Sequence, residues 1–184
     1  MNTHVMYASQ YGHSERYARW IAEDLRAAGH TVRLGEAGCE ETPEDYTPEV
    51  IVFVGANYAG TINGIEAFTQ AAHTFPRARL VVLTVAWASP EQHEAIAKLH
   101  AKNIPADVLE RAHVFHARGG IDHTRLSLKH KTGMAALKAF IHSKPESRRS
   151  QEDRETLEFW GKAKDFTTRE AVAPVVAAAL GTAR

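Results

Sequence analysis

Two short segments of this chain are continuously apolar and rich in β-branched residues, and they constrain its fold more than any other feature. They comprise residues 50–54 and 80–85. A strand with one solvated face alternates apolar and polar residues, whereas an unbroken apolar strand is typical of a parallel sheet covered by helices on both sides. The sequence therefore predicts an α/β protein whose sheet is buried.

Shorter strand-like segments occur at residues 5–8, 31–34 and 112–117. Helices are predicted between and after the strands, at residues 15–28, 63–74, 89–102 and 169–180, the last with a break or kink at Pro174. Five parallel strands with a small-residue loop after the first favour the doubly wound strand order 2-1-3-4-5. In such a sheet, ligands bind beyond the carboxyl ends of the strands, where the strand order reverses.

The loop after the first strand has the composition of a phosphate-binding loop. It contains a glycine and two serines, and it leads into a helix whose first N–H groups and dipole favour an anion. No lysine follows Gly12, so this is not a nucleotide-hydrolysing P-loop, and the glycine fingerprint of dinucleotide folds is missing. Serines that only cap the helix are the alternative interpretation. The candidate phosphate contacts are Ser9, Gln10, Tyr11, Gly12, His13 and Ser14.

Two further loops, residues 55–61 and 86–89, follow the strands expected beside this point. Each has small residues around one aromatic side chain, Tyr58 in the first and Trp87 in the second. A flat ring such as an isoalloxazine needs apolar cover of this kind together with backbone polar groups. A cation at Arg118, after the fifth strand, would stabilise an anionic reduced ring. The candidate ring contacts are Ala56, Asn57, Tyr58, Ala59, Gly60, Ala86, Trp87, Ala88, Arg118 and Gly119.

Charge is distributed unevenly along a chain whose net charge is zero. Residues 1–75 carry 10 acidic and 4 basic residues, whereas residues 118–150 carry 8 basic and 2 acidic ones. Such a basic segment either meets an acidic partner, substrate or surface, or forms a solvated helix face. The balanced total gives no indication of nucleic-acid binding.

The single cysteine, Cys39, cannot form an internal disulfide, which fits a reducing compartment. The N-terminal residues lack the zones of a signal peptide, and no run approaches the roughly 20 apolar residues of a membrane span. We expect a cytoplasmic protein that could also contact the inner face of the membrane peripherally. The 11 histidines show no metal-ligand spacing, so no metal site is predicted.

The residues of the first loop resemble a known family. Ser9-Gln10-Tyr11-Gly12-His13-Ser14 is similar to the T-x-T-G-x-T loop that binds the FMN phosphate in the flavodoxin superfamily, with Tyr11 at the middle hydroxyl position. Within that superfamily the chain most resembles the menaquinone-dependent protoporphyrinogen dehydrogenase group, in residues 53–56 and in a fifth strand that runs into a long insertion at residues 115–122. The resemblance implies one flavodoxin-like domain over residues 1–184 with FMN as its cofactor.

The insertion, about residues 119–166, distinguishes this chain from a short electron-carrier flavodoxin. A helix is predicted at residues 125–141, and residues 144–151 are expected to be mobile. One face of that helix would carry Leu126, His130, Met134, Leu137 and Ile141. In the dehydrogenase group the equivalent loop is associated with action near the membrane, where quinone resides. A basic amphipathic segment could meet anionic lipid headgroups or a substrate with carboxylates.

Three functions remain open from the sequence. The first is an FMN-dependent oxidoreductase that takes electrons from a reduced substrate of the porphyrinogen type and passes them to quinone. The second is a flavodoxin-type electron carrier that docks on redox partners, and the third is a binding or regulatory module without flavin. The basic insertion favours the first, the acidic residues 36–49 the second and Tyr11 the third. No side chain is identified as a catalytic acid or base, and the sequence does not specify the oligomeric state.

Overall fold

A sheet of five parallel strands forms the centre of the protein. The computed structural model describes residues 1–39, 46–122 and 128–182, except for the side chains of residues 128–131. The strands are β1 Asn2–Ala8, β2 Thr31–Glu36, β3 Val50–Tyr58, β4 Thr61–Ile62, β5 Arg79–Ala86, β6 Ala112–Arg118, β7 Gly120–Asp122 and β8 Ala163–Asp165. The helices are α1 His13–Ala27, α2 Ile65–Thr74, α3 His93–Asn103, α4 Ala106–Leu109, α5 Leu128–Ser143, α6 Gln151–Glu158 and α7 Ala173–Leu180.

The strand order in the sheet is β2-β1-β3-β5-β6, and each neighbouring pair is parallel. The two-residue β4 adds to β3 in the antiparallel direction. When β4 is left out of the numbering, this is the predicted order 2-1-3-4-5, so the fold class is confirmed. The sheet reverses its order between β1 and β3, which places the ends of these two strands side by side.

The apolar segments that predicted the sheet are its centre. Residues 50–54 of β3 and 80–83 of β5 are fully buried, because helices cover both faces. On one face α1 and α7 pack over the sheet; on the other, α2 and the segment around α4 do so. The predicted apolar face of α1 is confirmed, since Tyr17, Ile21 and Leu25 are each at most 1% exposed.

Two helix starts differ from the sequence prediction. Helix α3 begins at His93 rather than at residue 89, because the N–H of Gln92 donates to the carbonyl oxygen of Ser89 (3.0 Å) and closes a turn there. Residues Arg169–Val172 form a 3₁₀ turn, and α7 follows with Pro174 in its first turn. A proline at that position loses no helical hydrogen bond, so it starts the helix instead of breaking it.

The insertion is a small folded layer of its own. Strands β7 and β8 pair antiparallel and close its two ends, while α5 and α6 lie between them. The expected mobility of residues 144–151 does not agree with this arrangement. Ser150 caps α6 by accepting from the N–H of Asp153 (3.1 Å), and the Asp153 carboxylate accepts from Lys144 Nζ (2.8 Å). The first part of the predicted helix, residues 125–127, lies outside the described residues.

None of the helices in the described ranges is long and apolar enough to cross a membrane.

Candidate functional site

A cavity of about 430 Å³ lies beyond the carboxyl ends of β1, β3 and β5, at the place where the strand order reverses. The three predicted loops converge on it. The predicted residues that line it are Ser9, Gln10, Tyr11, His13, Ser14, Ala56, Asn57, Tyr58, Ala59, Ala86, Trp87 and Gly119. Four predicted contacts, Gly12, Gly60, Ala88 and Arg118, do not belong to the lining.

The loop at residues 9–14 turns on Gly12, whose φ of 88° lies in the left-handed region that a glycine adopts without strain. The N–H of Gly12 donates to Ser9 Oγ (3.0 Å), and α1 begins at the next residue. No side chain caps α1, so neither serine is the simple helix cap of the alternative interpretation.

Ser14 is the most informative residue of this loop. Its side chain is 1% exposed, and among the described residues its hydroxyl has no hydrogen-bond partner. A buried hydroxyl without a partner costs about 1–3 kcal/mol. An acceptor bound at the start of α1 would supply that partner, and the helix N-terminus favours an acceptor that carries negative charge. The loop therefore fits a phosphate group.

The second half of the cavity is lined by aromatic side chains. Burial raises the pKa of Tyr58, and the nearby Tyr11 raises it further, so the Tyr58 phenol stays neutral at physiological pH. Trp87 packs edge-on against Phe166, with ring centres 5.2 Å apart, and against Phe159 at 6.2 Å. The loops thus place aromatic rings around a cavity that begins at a phosphate-binding turn, which suits a flat ring joined to a phosphate.

The loop at residues 86–89, called the Trp87 loop below, is fixed by hydrogen bonds from the end of β6 to three successive carbonyl groups. The N–H of Gly119 donates to the carbonyl oxygen of Ala86 (2.6 Å), and Arg118 Nε donates to that of Trp87 (3.2 Å). His116 Nε2 lies 3.2 Å from the carbonyl oxygen of Ala88. Because C=O and the following N–H point in opposite directions in a trans peptide, the N–H groups of residues 87–89 are directed away from β6.

The proton on His116 can be assigned from this geometry. A ring nitrogen that faces a carbonyl oxygen must carry hydrogen, so Nε2 is the donor and Nδ1 of the neutral ring is an acceptor. Thr84 Oγ1 has two acceptors for its proton, that Nδ1 at 2.9 Å and the carbonyl oxygen of Phe115 at 3.2 Å, and the same oxygen accepts from His100 Nε2 at 2.9 Å. Burial lowers the pKa of both rings, that of His100 to about 4 with His116 as the second cause.

The buried His100 should make the stability of the protein depend on pH. Its pKa is about 4 in the folded chain and 6.5 ordinarily, so between these values the unfolded chain binds a proton that the folded chain does not. The free energy of unfolding should therefore fall by about 1–2 kcal/mol from pH 7 to pH 5 through this group. Denaturant unfolding of His100→Gln at both pH values should show a difference smaller by that amount. His113→Gln, at an exposed position, is the control; equal pH dependence in all three proteins would contradict the assignment.

Arg118 does not face the cavity as the sequence predicted. Its guanidinium forms an ion pair with Glu155 of α6 and lies 3.6 Å from the ring centre of Phe166 and 5.6 Å from that of Trp87. Arg118 thus joins the Trp87 loop to the insertion. The aromatic and acidic partners that draw it away are about 40 residues distant in sequence, and no local pattern points to them.

The insertion supplies most of the cavity wall that the sequence did not assign. The additional lining residues are Val85 of β5 and, from the insertion, Gly120, Ile121, Gly133, Met134 and Leu137. Met134 and Leu137 lie on the predicted apolar face of the insertion helix, and that pattern was the sequence feature that could have placed them in the cavity wall. The described residues contain no group of three or more histidine, cysteine or acidic side chains placed to hold a metal ion.

The doubly wound sheet, the turn at the start of α1 and the aromatic loops define a flavodoxin-like α/β protein. A sequence model of the family described as flavodoxin domain matches residues 4–148. The chain therefore belongs to the flavodoxin domain family. No curated protein matches the chain.

Solved structures with a related fold share little sequence with this chain. A C101A mutant of flavodoxin from Pseudomonas aeruginosa is 16% identical with a TM-score of 0.42, over 76% of this chain and 96% of that one. Flavodoxin 1 from Bacillus cereus is 13% identical with a TM-score of 0.43, over 64% and 84%. Rubredoxin oxygen:oxidoreductase from Desulfovibrio gigas is 15% identical with a TM-score of 0.43, over 67% and 32%.

Proposed function

We propose that the chain binds FMN in the 430 Å³ cavity and acts as an FMN-dependent oxidoreductase. The observation that carries this proposal is the buried Ser14 hydroxyl, which has no partner in the part of the chain that the structure describes. The turn at residues 9–14 would hold the phosphate, and the loops of Tyr58 and Trp87 would hold the ring. When bound, FMN supplies the capacity to accept electrons from a reduced substrate and to pass them on.

The chain's own residues define the environment of that ring. Trp87 and Met134 would give it apolar cover. The hydrogen bonds from the end of β6 hold three carbonyl oxygens of the Trp87 loop on the side of the loop that faces β6. The N–H groups of this loop are then the polar groups that can meet the electron-rich edge of a flavin. Such donors stabilise negative charge on the ring without a nearby side-chain cation.

The insertion supports an enzyme over an electron carrier. A carrier exposes the edge of its cofactor to many partners, whereas here α5 contributes Gly133, Met134 and Leu137 to the cavity wall. A wall of this kind restricts access to small molecules that fit beneath it. In keeping with the resemblance to the menaquinone-dependent protoporphyrinogen dehydrogenase group, the proposed electron donor is a porphyrinogen-type substrate and the proposed acceptor is a quinone.

Contact of residues 118–150 with an anionic membrane surface stays a prediction. Several of the basic side chains in that segment have partners inside the insertion. Arg118 pairs with Glu155 and Lys144 with Asp153, while Lys138 lies 4.6 Å from the ring centre of Trp160. Arg148 is exposed. The charge available to a membrane is therefore smaller than the sequence count indicates.

Titration with FMN and with riboflavin, which lacks the phosphate, tests the cofactor and its orientation together. Ser14→Ala should weaken FMN binding by about 10-fold or more, because a hydrogen bond to a charged group contributes about 1.5–3 kcal/mol. Riboflavin affinity should not change. The unliganded variant should unfold at the same or a higher temperature than the wild type, since the substitution removes a buried unpaired hydroxyl.

Ser143→Ala is the matched control, because that serine lies at the end of α5, is exposed and donates its hydroxyl to the carbonyl oxygen of Phe140. It should leave both affinities unchanged. A wild-type protein that is colourless and ignores added FMN would refute the proposal and leave the flavin-free module. Equal weakening of FMN and riboflavin by Ser14→Ala would show that the loop does not hold the phosphate.

The enzyme and the carrier are separated by a second assay on the FMN-loaded protein. Anaerobically reduced protein is mixed with a menaquinone analogue, and separately with a flavodoxin reductase system. Turnover of a porphyrinogen with the quinone would support the enzyme. Rapid exchange with the reductase and no quinone turnover would support the carrier instead.

A further inference from the structure

A second, smaller cavity lies beside the first, between α5, α6 and the Trp87 loop. Its volume is about 120 Å³, and it shares Trp87, Ile121, Met134 and Leu137 with the wall of the larger cavity. Phe159 completes its apolar lining. A cavity of about 150 Å³ with aliphatic and aromatic walls is large enough for benzene, so this one has the size of a single ring.

Two polar side chains interrupt this apolar lining, Glu152 and Thr156. They are four residues apart on α6, and side chains at that spacing lie on the same face of a helix. Neither side chain forms a hydrogen bond or an ion pair with any residue that the structure describes. Thr156 is only 8% exposed, and it lines the cavity from the buried side of α6.

Glu152 differs in this respect from Asp153 and Glu155 of the same helix. Asp153 accepts from Lys144 and from the N–H of Ser150, and Glu155 accepts from Arg118. An apolar cavity favours desolvation of a ring, and a carboxylate or a hydroxyl within it needs a hydrogen-bond partner from the ligand. The carboxylate of Glu152 can only accept, which calls for a ligand that donates.

We propose that the 120 Å³ cavity binds a single hydroxylated aromatic ring, a phenol or a hydroquinone. The ring lies against Trp87, Met134 and Phe159, one hydroxyl donates to the Glu152 carboxylate, and the Thr156 hydroxyl bonds to an oxygen of the ring. Only the use of such a ring next to a flavin rests on the proposed function, since binding requires residues of this chain alone. A tetrapyrrole cannot enter a space of this size, so any larger substrate could place only one ring in it.

Calorimetric titration with hydroquinone, phenol and toluene tests the proposal, because the three have rings of similar size and differ in their hydroxyl groups. Phenol and hydroquinone should bind about tenfold more tightly than toluene, as expected for a hydrogen bond made in a desolvated site. Glu152→Gln and the nearly isosteric Thr156→Val should each reduce that preference. Leu137→Trp, which fills the cavity, should weaken all three ligands.

Glu158→Gln is the matched control, because Glu158 is exposed on the same helix and does not line the cavity. It should bind all three ligands as the wild type does. Equal affinity for toluene and phenol would overturn the proposal, as would a preference that Glu152→Gln and Thr156→Val leave intact. Tighter binding of benzylammonium than of phenol would also overturn it, because the site would then be a cation site.

The titrations are carried out on the purified protein and on the same protein saturated with FMN. Failure of FMN to bind would refute the proposed function, whereas phenol binding to the smaller cavity could still be tested on the protein without FMN. FMN binding without any preference for phenol would refute this inference alone.

Discussion

Gly120→Ala is expected to lower both the stability of the protein and its affinity for FMN. A Cβ at this position would lie 2.5 Å from the carbonyl oxygen of Lys164 and 2.6 Å from His13 Nε2. The first obstacle is backbone, which cannot rotate away, so strands β7 and β8 must separate where Gly120 pairs with Asp165. We expect a loss of about 3 kcal/mol in the free energy of unfolding, at the upper end for overpacking.

The same shift would displace His13 at the start of α1, where the phosphate is proposed to bind. FMN affinity should fall by at least about tenfold, or 1.4 kcal/mol. The measurements are denaturant unfolding and fluorescence titration of FMN. Gly119→Ala is a close control for the effect on stability, because its Cβ would lie 3.0 Å from a methyl group of Val85, which can yield, and 3.7 Å from the nearest backbone atom. Equal losses in the free energy of unfolding for the two substitutions would contradict the explanation.

Arg118→Met is expected to destabilise the insertion and to loosen the Trp87 loop. It removes the ion-pair partner of Glu155 and leaves that carboxylate with the side-chain amide of Gln151 at 3.1 Å. The two charged side chains are 17% and 19% exposed, so the loss should be about 2–3 kcal/mol, below the range for fully buried pairs. The hydrogen bond to the carbonyl oxygen of Trp87 is lost as well.

The double variant Arg118→Met with Glu155→Met separates these two roles. Removal of both charges should restore most of the free energy of unfolding, because no carboxylate is left without its partner. FMN affinity should remain reduced, since the Trp87 carbonyl is still without its donor. The two quantities come from unfolding curves and FMN titrations of the wild type, both single variants and the double variant. An FMN affinity that recovers together with stability would show that Arg118 acts only on folding.

The sheet could be predicted from the sequence because its central strands are buried on both faces, which leaves an unbroken apolar record in residues 50–54 and 80–85. The three loops that converge on the cavity were predicted for a related reason. Once the strand order is fixed, the ends of β1, β3 and β5 must meet, whatever the loops contain. That strand order alone is enough to place Tyr58 and Trp87 at one site.

The insertion could not be predicted to the same depth, because contacts distant in sequence organise it. Phe166 comes under Arg118 only when β7 pairs with β8, and these three-residue strands are too short to show a periodic pattern. The sequence assigned the basic residues either to a surface for an acidic partner or to a solvated helix face. Lys144 and Arg118 instead pair with acids of α6, a helix that the sequence analysis did not predict.

The wall of the large cavity contains neither lysine nor arginine among the described residues that line it. The proposed attraction for a phosphate therefore rests mainly on peptide dipoles at the start of α1, and His13 is the basic side chain among the described lining residues. Peptide dipoles do not titrate, and acetylation of lysine side chains leaves them intact. Their contribution to the field is set by the course of the backbone.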